Sequence, residues 1–399
     1  MGRKRRQMMQ RIEQQTARKL DRETVRKRLT QSALRNVSCG KTGGIAEAVV
    51  QNGEMYFLGC FDDEGLGIHV DETTIFRLAS MTKPVTAVAV LQLLERGELS
   101  LEDPVYQYIP AYEHLNIGRI NGEELEVIGP AKKHITIRHL LTHTSGLGSG
   151  PVGHWVDKQF PRSEHYTLEQ TVERYAEYPL DFEPYSKQVY SGSHAFDVLA
   201  RIVEIVSGMR FGDYLNQEIF DPLGMPDTVF APTMEQWARM IPVHDYRDGK
   251  GCFADYPSDG VFLGLPVTCC AGGTALASTL KDYVRFAEML QNRGCLDGVR
   301  IIGEKMIREM SRQQLPPELM NGVRNWGLGV RVVTDDPANT LPCGAFGWSG
   351  ALGGHFWVDP VNRITAVYLK NSLYDGGSWS KTGQEFERDV YSSFSNKLL

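Results

Sequence analysis

No run of 18 or more apolar residues occurs in this 399-residue chain, so the sequence offers no helix able to span a bilayer. The start, Met1-Gly-Arg-Lys-Arg-Arg-Gln, is basic enough to open a signal peptide. Gln10-Arg-Ile-Glu-Gln-Gln follows where an apolar stretch is required, so export by that route is not expected. Cysteine is sparse: seven residues, an odd number, with no C-x-x-C and only Cys269 and Cys270 adjacent. That usage argues against a disulfide frame or a zinc site and predicts reduced thiols in a cytoplasm. Phosphate loops and dinucleotide fingerprints are missing too, and no H-E-x-x-H occurs. No metal or organic cofactor is therefore expected. Internal repeats and low-complexity linkers are absent after the first 35 residues.

What is present is an ordinary globular composition, 42% hydrophobic and 23% charged, with charge unevenly placed. Residues 1–35 hold 12 Lys and Arg against 3 acids, a net +9, which leaves −15 on residues 36–399. Ile12, Leu20, Val25 and Leu29 give this segment only a thin apolar stripe, so it reads as a solvated, partly helical extension. The alternative, an arm for nucleic acid or a membrane surface, fits poorly with the acidic body.

From Gly44 the pattern changes. Ala46–Val50 and Glu54–Gly59, split by Asn52-Gly53, read as a β-hairpin. A helical run from Met81 to Arg96, stopped at Gly97, is apolar almost all round, which marks a buried helix. Pro84 is tolerated only in a first turn, so that helix starts near Ser80. Residues 100–275 read mainly as helices and loops, with helices over Ile137–His143, Leu168–Tyr178, Ser193–Val206 and Phe211–Phe220. A helix ending near Gln291 follows, N-capped by Ser278. Strands return at Gly327–Val333, Ala345–Trp348, Gly354–Val358 and Ile364–Leu369, before a terminal helix near Gly383–Ser393. Strands at both ends with helices between predict an α+β fold. Residues 36–99 and 276–399 would form a sheet lobe and 100–275 a helical lobe, with a cleft between them.

The pattern S-x-x-K occurs at Ser38–Lys41, Ser80–Lys83, Ser278–Lys281 and Ser378–Lys381. Only Ser80–Lys83 opens a buried helix. A hydroxyl there sits beside unpaired N–H groups in positive potential, which suits a developing anion. Lysine at i+3 lies one turn on over the same face, and burial makes it a usable base. A plain N-cap with a snorkelling lysine is the competing reading of these two residues alone.

Four segments then carry a family resemblance. They are Phe76–Ala87 with Leu91–Val105, Ile135–Leu147, Tyr190-Ser-Gly running on to Asp221-Pro-Leu-Gly-Met, and Ala271–Thr279 with Asp282–Ala287. In this order they resemble the class C β-lactamases and penicillin-binding proteins, over roughly residues 44–370. The resemblance implies a β-lactamase/transpeptidase-like fold, an antiparallel sheet flanked by helices plus a helical lobe. It implies Ser80 as nucleophile, with Lys83 and Tyr190 handling its proton, and an acyl-enzyme intermediate. Trp348-Ser349-Gly350 takes the place of the family's K-T-G, so the backbone N–H groups of Ser80 and Ala351 would form the oxyanion hole.

Two departures shape the substrate. Gly192 stands where β-lactamases carry an asparagine that binds the acyl-amide side chain, and Trp348 where they carry a lysine that meets a carboxylate. The form resembles the family VIII carboxylesterases and also acyltransferases of this fold, with an amide hydrolase (β-lactamase, D-aminopeptidase or amidase) or a catalytically silent binding protein as the further alternatives. The expected partner is a small acyl ester or amide, with Trp348, Ser349, Gly350, Gly192 and His355 lining its site. His355, beside Trp357, also has a purely structural reading. Gly347-Trp-Ser-Gly-Ala nearly matches G-x-S-x-G, but Ala351 breaks it, and the later Asp-then-His order is missing. His139 and His143 have zinc-like i, i+4 spacing but no third ligand in view, and read as helix packing and capping.

Overall fold

Asn52 and Gly53 both adopt left-handed φ, 56° and 77°, the pair of conformations a two-residue hairpin turn requires. They join strand β1 (Gly44–Gln51) to β2 (Glu54–Asp62). The computed structural model describes residues 17–160, 166–254, 269–320, 324–377 and 380–398. Five later strands complete one antiparallel sheet: β3 (Arg324–Trp326), β4 (Arg331–Val333), β5 (Phe346–Ser349), β6 (His355–Asp359) and β7 (Ile364–Leu369). Their order is β3-β4-β5-β6-β7-β1-β2, so β7 pairs with β1 and the two ends of the chain close the sheet.

Helices cover both faces, which is why the central strands are apolar at nearly every position. Alternate residues of β1 show the division. Ile45 and Val49, with Trp357, Ala366 and Tyr368, pack against α1 (Arg22–Ser38) and α5 (Lys381–Tyr391). Ala46, Ala48 and Val50, with Phe356, Val367 and Leu369, join the larger core of α2 (Thr82–Arg96), α3 (His194–Ser207) and α4 (Leu280–Gln291). That core runs without a break from the sheet into the helical region, so the catalytic candidates fall at a seam inside one packed body.

The structure corrects three expectations. Residues 18–35 are no solvated extension: Leu20, Val25, Leu29 and Ala33 are buried against the sheet, and Arg18–Leu20 pairs with Phe394–Leu398. A four-residue stripe sufficed because the sheet, rather than the helix, supplies most of the apolar surface; Ile12 lies outside the described residues. Ser278 is not a helix cap. It lies in the short strand Ala277–Thr279, paired with Ile75–Arg77, and Thr279 caps α4 by accepting from the Asp282 N–H at 3.2 Å. The span 100–275, expected to be mainly helices and loops, also contains two hairpins, Asn116–Asn121 with Glu124–Pro130 and His244–Arg247 with Lys250–Phe253. Among the described residues no helix is long and apolar enough to cross a membrane.

Candidate active site

The strand Ile75–Arg77 delivers the chain to the N-terminus of α2 through Ala79, which takes a left-handed φ of 46°. One turn of 3₁₀ helix, Ala79–Met81, precedes α2, and Ser80 lies in it. Lys83, one turn further, places its Nζ 3.1 Å from Ser80 Oγ. Lys83 is fully buried, and its Nζ also donates to the carbonyls of Gly192, at 2.5 Å, and Gly273, at 2.8 Å. Three acceptors are what the three protons of an ammonium need. Burial was the expected route to a neutral base, whereas these carbonyls suit the charged form.

Tyr190 enters from the segment before α3, and its Oη–H donates to Ser80 Oγ at 2.8 Å. Trp348 on β5 donates its Nε1–H to Tyr190 Oη at 3.3 Å. Its indole does not form an open rim: Trp348 is only 6% exposed and packs on Trp326 from β3, with ring centroids 4.6 Å apart. Gly192, by contrast, faces open space, since a Cβ added there would meet no atom within 4 Å. Ser80, Lys83, Tyr190, Trp348 and Gly192 are thus brought together.

Gly350 must be glycine for the remaining part. A Cβ there would fall 2.4 Å from the Leu78 carbonyl oxygen, so its absence lets the end of β5 press against the segment leading to Ser80. The turn between β5 and β6 then exposes Ala351, whose carbonyl is fixed by the Gly377 N–H at 2.8 Å.

Ser349 and His355 are not in this site. Side chains alternate along a strand, so Ser349 points to the face opposite Trp348. There Ser349 Oγ and His355 Nδ1 share a 2.8 Å hydrogen bond, and His355 Nε2 lies 2.9 Å from Glu387 Oε1 on α5. Arg331 approaches the same carboxylate at 3.8 Å. Burial pushes the Glu387 carboxyl up, but the His355 hydrogen bond and the charges around it outweigh that and hold it below its ordinary value. This serine–histidine–glutamate array is closed in: Ser349 is 4% exposed and His355 6%. The order Ser-His-Glu could not be found by a search for a later Asp followed by His.

Of the two zinc-spaced histidines, His139 caps its helix, its Nδ1 accepting from the Thr136 N–H at 3.2 Å. His143 lies behind Tyr190, its ring tilted 46° to the phenol with centroids 4.7 Å apart. No cluster of three His, Cys, Asp or Glu side chains able to hold a metal ion occurs among the described residues. His143, Trp326 and Glu387 are the residues that sequence reasoning missed. Only His143 had a signal, its place inside the segment Ile135–Leu147.

A buried lysine, a phenol and a serine hydroxyl in one hydrogen-bonded cluster beside the exposed Gly192 can move a proton off the serine and onto a leaving group once the lysine–tyrosine pair has given up one proton. Comparison with known proteins places the chain among its relatives. The chain is 29% identical to Esterase EstB of Burkholderia gladioli over 370 residues, covering 84% of this chain and 87% of the esterase. It is 31% identical to Protein Rv1367c of Mycobacterium tuberculosis over 330 residues, 77% of this chain and 80% of that one. Among solved structures, EstCE1, a hydrolase with promiscuous acyltransferase activity, superposes with a TM-score of 0.78 at 22% identity. That match covers 93% of this chain and 99% of EstCE1. The profile of the Beta-lactamase family matches residues 22–384, α1 included, and the chain belongs to that family.

Proposed function

We propose that this protein is a serine carboxylesterase acting on small or medium acyl esters through an acyl-Ser80 intermediate. The observation that carries the reading is the pair of contacts on one oxygen: Ser80 Oγ lies 2.8 Å from Tyr190 Oη and 3.1 Å from Lys83 Nζ. Attack requires the Tyr190–Lys83 pair to hold one proton fewer than a phenol plus an ammonium. Ser80 Oγ then attacks the ester carbonyl as its proton passes to that pair through Tyr190 Oη, and the Lys83 ammonium beside the completed phenol stabilises the negative charge that develops. The carbonyl oxygen becomes an oxyanion against the N–H groups of Ser80 and Ala351. The C–O bond to the alcohol breaks, Tyr190 returns the proton to that oxygen, and water repeats the sequence to free the acid. Where an alcohol or amine replaces water, the same steps amount to acyl transfer, so transferase activity is the second reading.

The ester preference rests on Gly192 and Trp348. Neither offers a side-chain amide or a cation to a β-lactam, and the Trp348 N–H is already engaged by Tyr190. One charge-assisted hydrogen bond is typically worth ~1.5–3 kcal/mol. Losing both contacts lowers kcat/KM on a β-lactam by roughly 10²- to 10⁴-fold. The test compares p-nitrophenyl butyrate with nitrocefin on one preparation. A clear preference for nitrocefin overturns the esterase reading and leaves the Ser80 chemistry standing.

A further inference from the structure

Tyr190 lies in a stretch without regular secondary structure, yet as the proposed proton carrier it must be held to a fraction of an ångström. One residue grips it from three directions. The carbonyl of His143 accepts the Val189 N–H at 3.1 Å, on one side of Tyr190. The Nδ1 of His143 accepts the Ser191 N–H at 3.1 Å, on the other side. Between these two bonds the imidazole lies against the phenol ring itself, centroids 4.7 Å apart. Trp326 and Phe196 close the remaining sides of the imidazole, at 4.4 and 5.4 Å.

From this geometry we infer that His143 is the positioning residue of Tyr190, a template that sets where the phenol oxygen meets Ser80. The inference rests on the esterase reading, because it gives Tyr190 work that depends on placement.

Two costs borne at His143 argue against simple core packing. Its φ is 56°, a left-handed conformation uncommon among non-glycine residues, although histidine adopts it more often than most. Its Nε2 is buried without a hydrogen-bond partner among the described residues, so its desolvation goes uncompensated. An aliphatic side chain would avoid the second cost but could not accept from Ser191. The ring must also stay neutral to accept at Nδ1, because a protonated imidazole offers only donors. Burial first, and then the nearby Lys83 charge, hold His143 well below its ordinary pKa, so the acceptor persists across the working pH range.

The substitutions His143→Ala, His143→Asn and His143→Gln separate positioning from packing. Asparagine places an oxygen where Nδ1 lies and tolerates left-handed φ; glutamine places its oxygen one bond further, at the Nε2 position. With p-nitrophenyl butyrate, His143→Ala lowers kcat by roughly 10²-fold, the usual scale of a lost acid–base contribution, with KM within about threefold. His143→Asn recovers most of that loss and His143→Gln does not. Introduced into Tyr190→Phe, His143→Ala adds little, since the group it positions is already gone. Three results overturn the inference: unchanged kcat in His143→Ala, equal kcat in the Asn and Gln variants, or full additivity with Tyr190→Phe. If His143→Ala does not fold, the Asn and Gln pair decides. Labelling of wild-type Ser80 by a fluorophosphonate is the separate check on the nucleophile; its failure sinks the esterase reading whatever the His143 variants do.

Discussion

Strand β5 carries two serine-centred hydrogen-bond systems back to back. Toward the helical region Trp348 reaches Tyr190, which reaches Ser80 and, beyond it, Lys83. Toward α5 Ser349 reaches His355, which reaches Glu387. By distances alone the Ser349 system is closer to a hydrolase triad than the Ser80 system is. What separates them is access. Ser80 is 8% exposed, but its neighbours reach the surface, since Tyr190 is half-buried and Gly192 exposed, whereas Ser349 and His355, at 4% and 6%, lie buried against α5. A serine bonded to a histidine bonded to a carboxylate is thus a geometry that a core can also use, to tie a helix to a sheet. It becomes a nucleophile only where a substrate carbonyl can arrive.

The largest expected effect puts this contrast at risk directly. Ser80→Ala lowers kcat/KM on p-nitrophenyl butyrate by roughly 10⁴-fold or more, the scale seen when a serine nucleophile is removed. Ser349→Ala stays within about threefold, under ~0.7 kcal/mol of barrier. The reverse order would exchange the roles of the two faces. Next, Tyr190→Phe lowers kcat by roughly 10²-fold or more with an unchanged circular dichroism spectrum, because proton transfer is typically worth 10²–10⁴. An unchanged kcat would reduce Tyr190 to packing.

On the closed face the readout is stability rather than rate. Glu387→Leu removes the carboxylate facing His355 and Arg331 and costs about 2–4 kcal/mol, near the usual loss when a buried charge pair is broken. The urea midpoint measures it, and the molecules still folded keep fluorophosphonate reactivity at Ser80. The folded-state pKa of Glu387 lies below the ordinary 4.5, so its contribution is present above that pH. It fades as pH falls through the lowered value, and the variant's deficit therefore shrinks in acid. A deficit that grew in acid would contradict this.

Much of the front face was legible because its signals are local. Ser80, Lys83 and Pro84 sit in one helical turn, and the apolar run after them declared the helix buried. Ile364–Leu369 was legible as a strand to the residue, six apolar or β-branched positions covered on both sides. The back face was not legible, because no motif marks Glu387 as a partner of His355, whereas Tyr190 and Trp348, further apart still, were placed by the family resemblance. Residues 18–35 misled for a related reason. Charge dominates their composition, while the apolar surface that buries Val25 and Leu29 belongs to a sheet assembled from elsewhere in the chain. The hairpin Asn116–Pro130, which turns at Gly122-Glu123, was not read from the sequence. Its exposed strands alternate too weakly to stand out among helices.

Ala79 bears on the site through its backbone conformation. An alanine held at a φ of 46° stores roughly 1–2 kcal/mol that glycine would not. Immediately ahead of Ser80, that tension has a mechanical meaning: glycine would be more comfortable and looser, alanine is less comfortable and stiffer. Natural selection for endurance and for turnover pull in opposite directions at this single methyl group. A protein engineered for heat tolerance by relaxing Ala79 would give up some of the rigidity with which its serine is presented.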